Sequence, residues 1–313
     1  MILITGGSGL LGYALVNKLK QNNKNFVAPK STELNLLDKE SIKKYFGTHR
    51  IDCVFHLAAK VGGVKANMEF VADFYDDNIV MNTNLLKACI DHNIPKVVSV
   101  LSTCVYPDEP YIKYPLTENQ LHMGPPHQSN FGYAYAKRML DVQTRAYRKQ
   151  HGVNYITVIP NNLFGENDNF DLENSHVIPA LIRKIWEAKL ENKPIVEIWG
   201  DGKPIREFTY SGDIADILIK VSNQYNDPEP LNIGNTEQYS ISYVAEKIKT
   251  FLDYQGSFIY DLDKPRGQYQ KPSSNKKLLE VTSWKKEDYT DFDISLRKTC
   301  DWFKLNYPNV RGL

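Results

Sequence analysis

Four residue types capable of carbonyl chemistry stand close together in this sequence: Ser102, Cys104, Tyr133 and Lys137. They lie in Leu101-Ser102-Thr103-Cys104-Val105-Tyr106-Pro107 and in Tyr133-Ala134-Tyr135-Ala136-Lys137. On a helix the i, i+4 spacing puts Tyr133 and Lys137 on one face, with the ammonium beside the phenol. A neighbouring cation favours phenolate and draws a tyrosine's pKa down from about 10. Ser102 and Cys104 are two apart, so in an extended segment both side chains point the same way. A hydroxyl, a tunable phenol and a thiol converging on one substrate suit carbonyl chemistry accompanied by proton transfers.

The elements that must position these groups follow from periodicity. Met1–Thr5 is an apolar run of strand type, and Gly6-Gly7-Ser8-Gly9-Leu10-Leu11-Gly12 follows it directly. Tyr13–Lys20 then carries apolar residues at helical spacing. Strand, glycine-rich turn and helix form the context in which Gly6, Ser8, Gly9, Leu10 and Gly12 cradle a pyrophosphate at a helix N-terminus. The alternative is an ordinary tight turn. Further strands are expected at Asn25–Ala28, Asp52–Leu57, Lys96–Leu101 and Tyr155–Ile159, with helices at Asp77–Asp91 and Tyr133–Gln150. Alternation of this kind predicts an α/β fold, a Rossmann-type doubly wound parallel sheet. Ser102 and Cys104 fall just past the fourth strand, where such sheets bind ligands. After about residue 160 the composition turns aromatic- and proline-rich, with helices expected at Val177–Lys189, Ser242–Leu252 and Ile294–Asn306. The expected division is a dinucleotide-binding domain over 1–160 and a smaller mixed α/β C-terminal substrate lobe over 161–313, with room for the chain to cross back to the sheet.

Bulk properties narrow the class. A net charge of +1 and a pI near 7.6 supply no basic field for nucleic acid or a membrane surface. Cys53, Cys89, Cys104 and Cys300 lack metal-site spacing and are too sparse for a disulfide scaffold, so no metal is expected. No secretory segment precedes the first strand and no apolar run could span a membrane, so a cytoplasmic enzyme is expected.

On Gly6-x-x-Gly9-x-x-Gly12, Ser102 and Tyr133-x-x-x-Lys137 the chain resembles the extended short-chain dehydrogenase/reductase family. Within it, the chain is similar to the branch of 3,5-epimerase/4-reductases that act on GDP-4-keto-6-deoxymannose. The matching stretches are Leu57-Ala58-Ala59-Lys60-Val61-Gly62-Gly63, Ser102–Pro107, Gly124–Asn130, Asn174–Leu181 and Trp199–Phe208, so the resemblance runs from Met1 to about Tyr307. It implies NADP(H) as cofactor, a GDP-linked 4-keto sugar as substrate, and GDP-L-fucose or a related GDP-sugar as product. It also implies a homodimer in which the helices at Asp77–Asp91 and Tyr133–Gln150 form a four-helix bundle; Leu85, Leu86, Met139, Leu140 and Val142 put apolar positions on more than one face of that pair.

The resemblance implies a role for each matching residue. Cys104 would be the base at C3 and C5, and His176 the acid on the opposite face of the sugar. Ser102 and Tyr133 would bind the ketone oxygen, and Lys137 the cofactor ribose. Leu57, Ala58 and Ala59 would line the cofactor cleft, Asp38 would hold the adenine, and Asn78 and Asn82 would line the same cleft. Asn162, Lys184, Trp199, Arg206 and Lys271 would bind the substrate. A base must lose its own proton, so Cys104 needs a charged neighbour.

Plainer readings stand beside these. His176 could cap the helix opening at Val177, Arg206 could be a surface charge, and Lys271 a solvated lysine; His122 and His127 are read as structural. An NAD site usually carries a carboxylate at the end of the second strand. Here Lys30 follows Ala28-Pro29 and no acid occurs before Glu33, which favours a 2′-phosphate. Asn161 and Arg266 depart from the branch's usual threonine and aspartate, in segments expected to face the sugar or its nucleotide. A 4-reductase acting on another GDP-4-keto sugar, such as a heptose, after a separate epimerase therefore stays open. A 4-epimerase or dehydratase is less suited, because Thr103-Cys104 stands where a dehydratase carries its acid pair. A non-catalytic dinucleotide sensor would commonly have lost Tyr133 or Lys137.

Overall fold

The computed structural model describes residues 1–263 and 269–313, apart from the side chains of residues 64 and 65. Arg266 lies outside the described residues. Along the chain come β1 (Ile2–Thr5), α1 (Leu10–Gln21), β2 (Phe26–Val27), α2 (Lys39–Thr48), β3 (Cys53–His56), α3 (Val64–Glu69), α4 (Val71–Asp91) and β4 (Lys96–Val100). Then follow α5 (Phe131–His151), β5 (Asn154–Ile159), β6 (Asn162–Phe164), α6 (Val177–Leu190), β7 (Ile195–Trp199), β8 (Ile205–Tyr210) and α7 (Ser211–Gln224). The last elements are β9 (Leu231–Asn232), β10 (Gln238–Ser240), α8 (Ile241–Phe251), β11 (Ser257–Asp261), α9 (Lys276–Val281) and α10 (Phe292–Asn306).

Six strands in the order β2-β1-β3-β4-β5-β9 make one sheet, and every adjacent pair is parallel. The period of two along the strands divides their side chains between two cores. Ile4, Phe55, Val98, Ile156 and Val158 pack with Leu15 of α1 and with Ile214, Ile217, Leu218 and Val221 of α7. Leu3, Val54, Val97 and Tyr155 pack on the other face with Ile42, Leu85, Leu86 and Leu140 from α2, α4 and α5. This is the doubly wound α/β architecture expected from the alternating pattern. The chain recrosses to it late, since α7 and β9 both belong to the sheet's layers.

A third core lies in the second half of the chain. It gathers Phe164, Phe208, Val196 and Ile198 from short strands with Ile182, Ile185, Val244, Ile248, Leu296 and Phe303 from α6, α8 and α10. Its strands form a three-stranded sheet, β10-β8-β6, and a two-stranded one, β11-β7.

Some expected boundaries move. Helix α4 opens at Val71 rather than Asp77, because Phe74 is buried and extends the apolar stripe by a turn, while Asp73 suits the positive N-terminal end. Helices α2, α7 and α9 were not anticipated.

Candidate active site

The glycine-rich loop is shaped by close backbone approaches. Gly6 has φ +72°, and a Cβ there would stand 2.7 Å from the Ala58 nitrogen. A Cβ on Gly12 would stand 2.1 Å from the Gly6 oxygen. Gly9 is the N-cap of α1 and brings no side-chain cap, so the first N–H groups of the helix remain available to an anion. Leu57, Ala58 and Ala59 follow β3 beside this loop, with the Ala58 N–H donating to Thr5 Oγ1 at 3.3 Å. At the end of β2, Lys30 is exposed, and Glu33 turns back so that its Oε2 accepts the Lys30 backbone N–H at 2.8 Å. The exposed Lys30 ammonium fits a phosphorylated dinucleotide.

Three residues expected at the cofactor cleft carry other bonds. Asp38 Oδ1 caps α2 by accepting the Glu40 N–H at 2.9 Å. Asn78 and Asn82 are buried, contrary to expectation. Asn78 bonds both backbone groups of Lys60 and the Phe74 carbonyl, and Asn82 Oδ1 meets His56 Nε2 at 2.9 Å. Asn82 thus ties α4 to β3, and Asn78 ties it to the segment that follows β3.

The chemistry-bearing cluster sits past β4. Ser102 is extended, and its Oγ accepts the Cys104 N–H at 3.4 Å, opening a 3-10 turn over Thr103–Val105. The expected extended Ser102–Cys104 segment is therefore replaced by a turn. Arg138 fixes that turn from α5, its guanidinium donating to the Val105 and Gly124 carbonyls. Cys104 and Ala59 pack against buried Tyr133, Phe74 and Ala66. Lys137 Nζ lies 5.9 Å from the centre of the Tyr133 ring and donates to the Val100 carbonyl at 2.8 Å.

The spacing argument placed the pair correctly but not its electrostatics. Burial, with the Cys104 thiol adding to it, pushes the Tyr133 pKa up rather than down. Burial likewise lowers the Lys137 pKa to about 8. With 6% and 2% of their surfaces exposed, desolvation outweighs the ammonium's attraction for phenolate at this distance.

The residues expected on the sugar side come from scattered elements. His176 precedes α6 and its side chain makes no capping bond, so the capping role does not hold. Its ring keeps solvent access while protein crowds around it and lowers its pKa. The loop bearing it rests on Gly63, whose N–H donates to the Asn174 carbonyl at 3.0 Å. Lys184 Nζ stands 5.1 Å over the Trp199 ring. Arg206 donates to the Ile205 and Tyr269 carbonyls at 2.8 and 3.2 Å, and burial lowers its pKa. Lys271 is lowered by burial too, and the Cys104 thiol and Asp108 carboxylate partly restore it, while Arg206 and Arg138 oppose it. The structure therefore draws Cys104, Lys271 and Arg206 into one electrostatic neighbourhood.

Asn162 Nδ2 donates to the Glu207 carbonyl at 2.8 Å from an exposed position. Asn161, expected to face the sugar or its nucleotide, instead turns inward. Its Nδ2 donates to the Asn235 carbonyl and Glu207 Oε2 at 2.7 and 3.2 Å, and its Oδ1 accepts from Thr209 at 2.6 Å. His122 meets Asp141 at 3.0 Å and His127 caps a short turn at Ser129, both structural as read from the sequence. Sequence reasoning missed Arg138, whose only signal was adjacency to Lys137, and His56. The latter is fully buried, with Nδ1 at 2.9 Å from Thr5 Oγ1, and burial lowers its pKa to about 4. Among the described residues no cluster of His, Cys, Asp and Glu could hold a metal.

Residues 2–234 match the model described as "NAD dependent epimerase/dehydratase family". The chain belongs to this family. A GDP-L-fucose synthase of Dictyostelium discoideum is 40% identical over 315 residues, covering 99% of this chain and 97% of that protein. Among solved structures, a GDP-L-fucose synthetase from Naegleria fowleri bound to NADP superposes with a TM-score of 0.91 at 40% identity, covering 99% of this chain and 94% of that one. A GDP-6-OMe-4-keto-L-xylo-heptose reductase from C. jejuni superposes with a TM-score of 0.89 at 28% identity, covering 97% of each chain. Epimerase/dehydratase family membership thus joins the glycine loop and the Tyr133–Lys137 pair to relatives that work on GDP-sugars.

Proposed function

We propose that this chain is an NADPH-dependent oxidoreductase that epimerises C3 and C5 of GDP-4-keto-6-deoxymannose and reduces C4, giving GDP-L-fucose. The observation carrying this reading is Cys104 packed on Tyr133 beside Lys137 at the end of β4, in a chain so similar to GDP-L-fucose synthases over its whole length.

A C4 ketone acidifies the protons on both neighbouring carbons, so one site can serve both epimerisations. Cys104 removes each proton, and His176 returns a proton on the opposite face. Ser102 and Tyr133 donate hydrogen bonds to the ketone oxygen as enolate charge grows. Bound NADPH supplies the hydride that reaches C4. Tyr133 gives its proton to the C4 oxygen, and Lys137 holds the ribose hydroxyls and stabilises the tyrosine's charged form. Lys184, Trp199, Arg206, Lys271 and Asn162 grip the GDP and sugar; an arginine pairs with phosphate in a bidentate fork. Lys30 pairs with the 2′-phosphate, Asp38 holds the adenine, and residues 161–313 act as the substrate lobe.

The α4–α5 pair supports a homodimer built as a four-helix bundle. Leu85, Leu86 and Leu140 are in the core, while Tyr75, Val80, Phe131, Tyr135, Met139 and Val142 face outward. Of these, Tyr75, Phe131, Tyr135 and Met139 line a groove of about 520 Å³ that is mainly apolar. A second copy of the same helix pair covers such a face by two-fold symmetry. Light scattering at micromolar concentration should give twice the mass of 35.9 kDa. We place the enzyme in the cytoplasm, in keeping with its four free cysteines; no helix among the described residues is long and apolar enough to cross a membrane.

The deciding experiment follows GDP-4-keto-6-deoxymannose by NMR in heavy water, with NADPH oxidation recorded in parallel. Stoichiometric oxidation together with deuterium at C3 and C5 is the expected result. Cys104→Ser should lose the exchange while direct reduction persists, and His176→Asn should block inversion. Reduction without exchange by the wild type would leave a dedicated 4-reductase, the reading to which the heptose reductase's likeness lends weight.

A further inference from the structure

Asp168 and Arg311 take no part in the chemistry above, yet they stand beside the glycine-rich loop. The segment after β6 crosses that loop: Asn167 Nδ2 donates to the Ser8 carbonyl at 3.0 Å. The segment 308–313, which follows α10, is in turn laced onto this crossing. The Phe170 N–H donates to the Arg311 carbonyl at 2.8 Å. Arg183 reaches from α6 and donates to the Phe170 and Gly312 carbonyls at 3.1 and 2.9 Å. Gly312 has φ +91°, and a Cβ there would stand 2.3 Å from Asn169 Oδ1, so the close approach requires glycine.

This lacing fixes the backbone of Arg311 and sends its guanidinium to the loop. Nη1 lies 3.6 Å from where a Cβ on Gly9 would stand. Gly9 is the uncapped N-cap of α1, the positive end of that helix. Two like charges are thus brought face to face, an arrangement that is unfavourable until an anion lies between them. Burial raises the pKa of Asp168, 3% exposed, to about 7, and the Asn169 N–H and the Arg311 charge both pull against that rise. Its Oδ1 accepts the Asn169 N–H at 2.7 Å, and its buried Oδ2 has no hydrogen-bond partner.

We propose that Arg311 is a cofactor-binding residue, its guanidinium pairing with the dinucleotide's pyrophosphate over Gly9 while Asp168 acts as its buried counter-charge. This rests on the NADP(H) reading and adds to it a ligand from a segment remote in sequence from the glycine loop. The diphosphate supplies the missing anion, and a guanidinium fork matches its oxygens. Asp168 is a positioning residue, within electrostatic reach of the guanidinium and touching no phosphate itself.

Binding of NADPH, followed by calorimetry on the ligand-free full chain, tests the proposal. Arg311→Ala should weaken NADPH about tenfold or more, as expected for loss of a charge-assisted hydrogen bond, and Arg311→Lys should recover part of that loss. Adenosine 2′-phosphate, which lacks the pyrophosphate, should bind wild type and Arg311→Ala alike. Asp168→Asn should show a smaller loss for NADPH, again with none for adenosine 2′-phosphate. Equal NADPH affinity in wild type and Arg311→Ala overturns the proposal, as do parallel losses for both ligands, which would make the residue a structural support. A wild type that binds no NADPH overturns the cofactor reading itself, and the proposal with it.

Discussion

In the cofactor half, the polar groups beside the cleft follow directly from strand ends. Gly6 comes after β1, Ala58 after β3 and Ser102 after β4, each within a few residues of a parallel strand whose neighbours hold it. In the sugar half no such rule operates. Glu207, 3% exposed, accepts from both the Ser273 N–H and hydroxyl at 2.8 and 2.6 Å and from Asn161. Asn161 and Thr209 then tie in Asn235, so one buried polar cluster stitches together segments far apart in the chain. The first half positions its groups by local strand-turn-helix geometry, and the second by long-range hydrogen bonds. Substitutions near the cleft should therefore cost chemistry in the first half, and stability or substrate affinity in the second.

The largest effect is expected at Tyr133. Tyr133→Phe removes the proton donor while keeping the ring that packs on Phe74 and Cys104. Hydride transfer should fall at least about 100-fold, with NADPH affinity nearly intact. Near-normal NADPH oxidation by the variant would take Tyr133 out of the mechanism.

Asn161→Ala probes the other half. It leaves Glu207, Thr209 and the Asn235 carbonyl each short of a partner, so unfolding in urea should show a loss of about 2–3 kcal/mol. A variant as stable as wild type would show that the cluster does not organise the lobe. Arg206→Ala should act more narrowly, raising KM for the GDP-sugar about tenfold with little change in kcat or NADPH affinity. An equal fall in kcat at unchanged KM would contradict a ground-state grip on the nucleotide.

The same contrast explains what could be read in the sequence. The apolar runs of β1, β3, β4 and β5 and the glycines after β1 are local signals, so the parallel sheet and its helix-end cradle were legible. Recrossing by α7 and β9 was only allowed for, because a two-residue strand carries no periodicity of its own. Asn161 gave no hint of facing inward, since its partners lie dozens of residues away. The Ser102–Cys104 spacing suggested an extended segment, but the Ser102 hydroxyl bonds the Cys104 backbone and turns the chain. For Tyr133 and Lys137 the i, i+4 spacing told their proximity and nothing of burial, which reverses the expected pKa shift of the phenol. Arg311 meets Gly9 across nearly the full length of the chain, a contact that no local pattern encodes.

Burial of Lys137 leads to the smallest and most diagnostic expectation. The ammonium is 2% exposed and donates to the Val100 carbonyl at 2.8 Å. Its pKa of about 8 in the fold lies below the usual 10.5 of an unfolded chain. Between those values the unfolded chain binds more protons, so this group makes stability rise with pH. Below pH 8 the fold carries the full penalty, on the order of 3 kcal/mol. Lys137→Met removes that penalty but strands the Val100 carbonyl, at a cost of about 1–3 kcal/mol. Near neutrality the two terms nearly cancel, and the ligand-free variant should match wild type or exceed it by about 1 kcal/mol while losing reductase activity. As pH rises toward 10 the penalty vanishes and the stranded carbonyl does not, so wild type should become the more stable of the two. Urea unfolding of both proteins at pH 7, 8.5 and 10 reads the difference. A gap that stays constant across that range would mean the ammonium is not held at a depressed pKa.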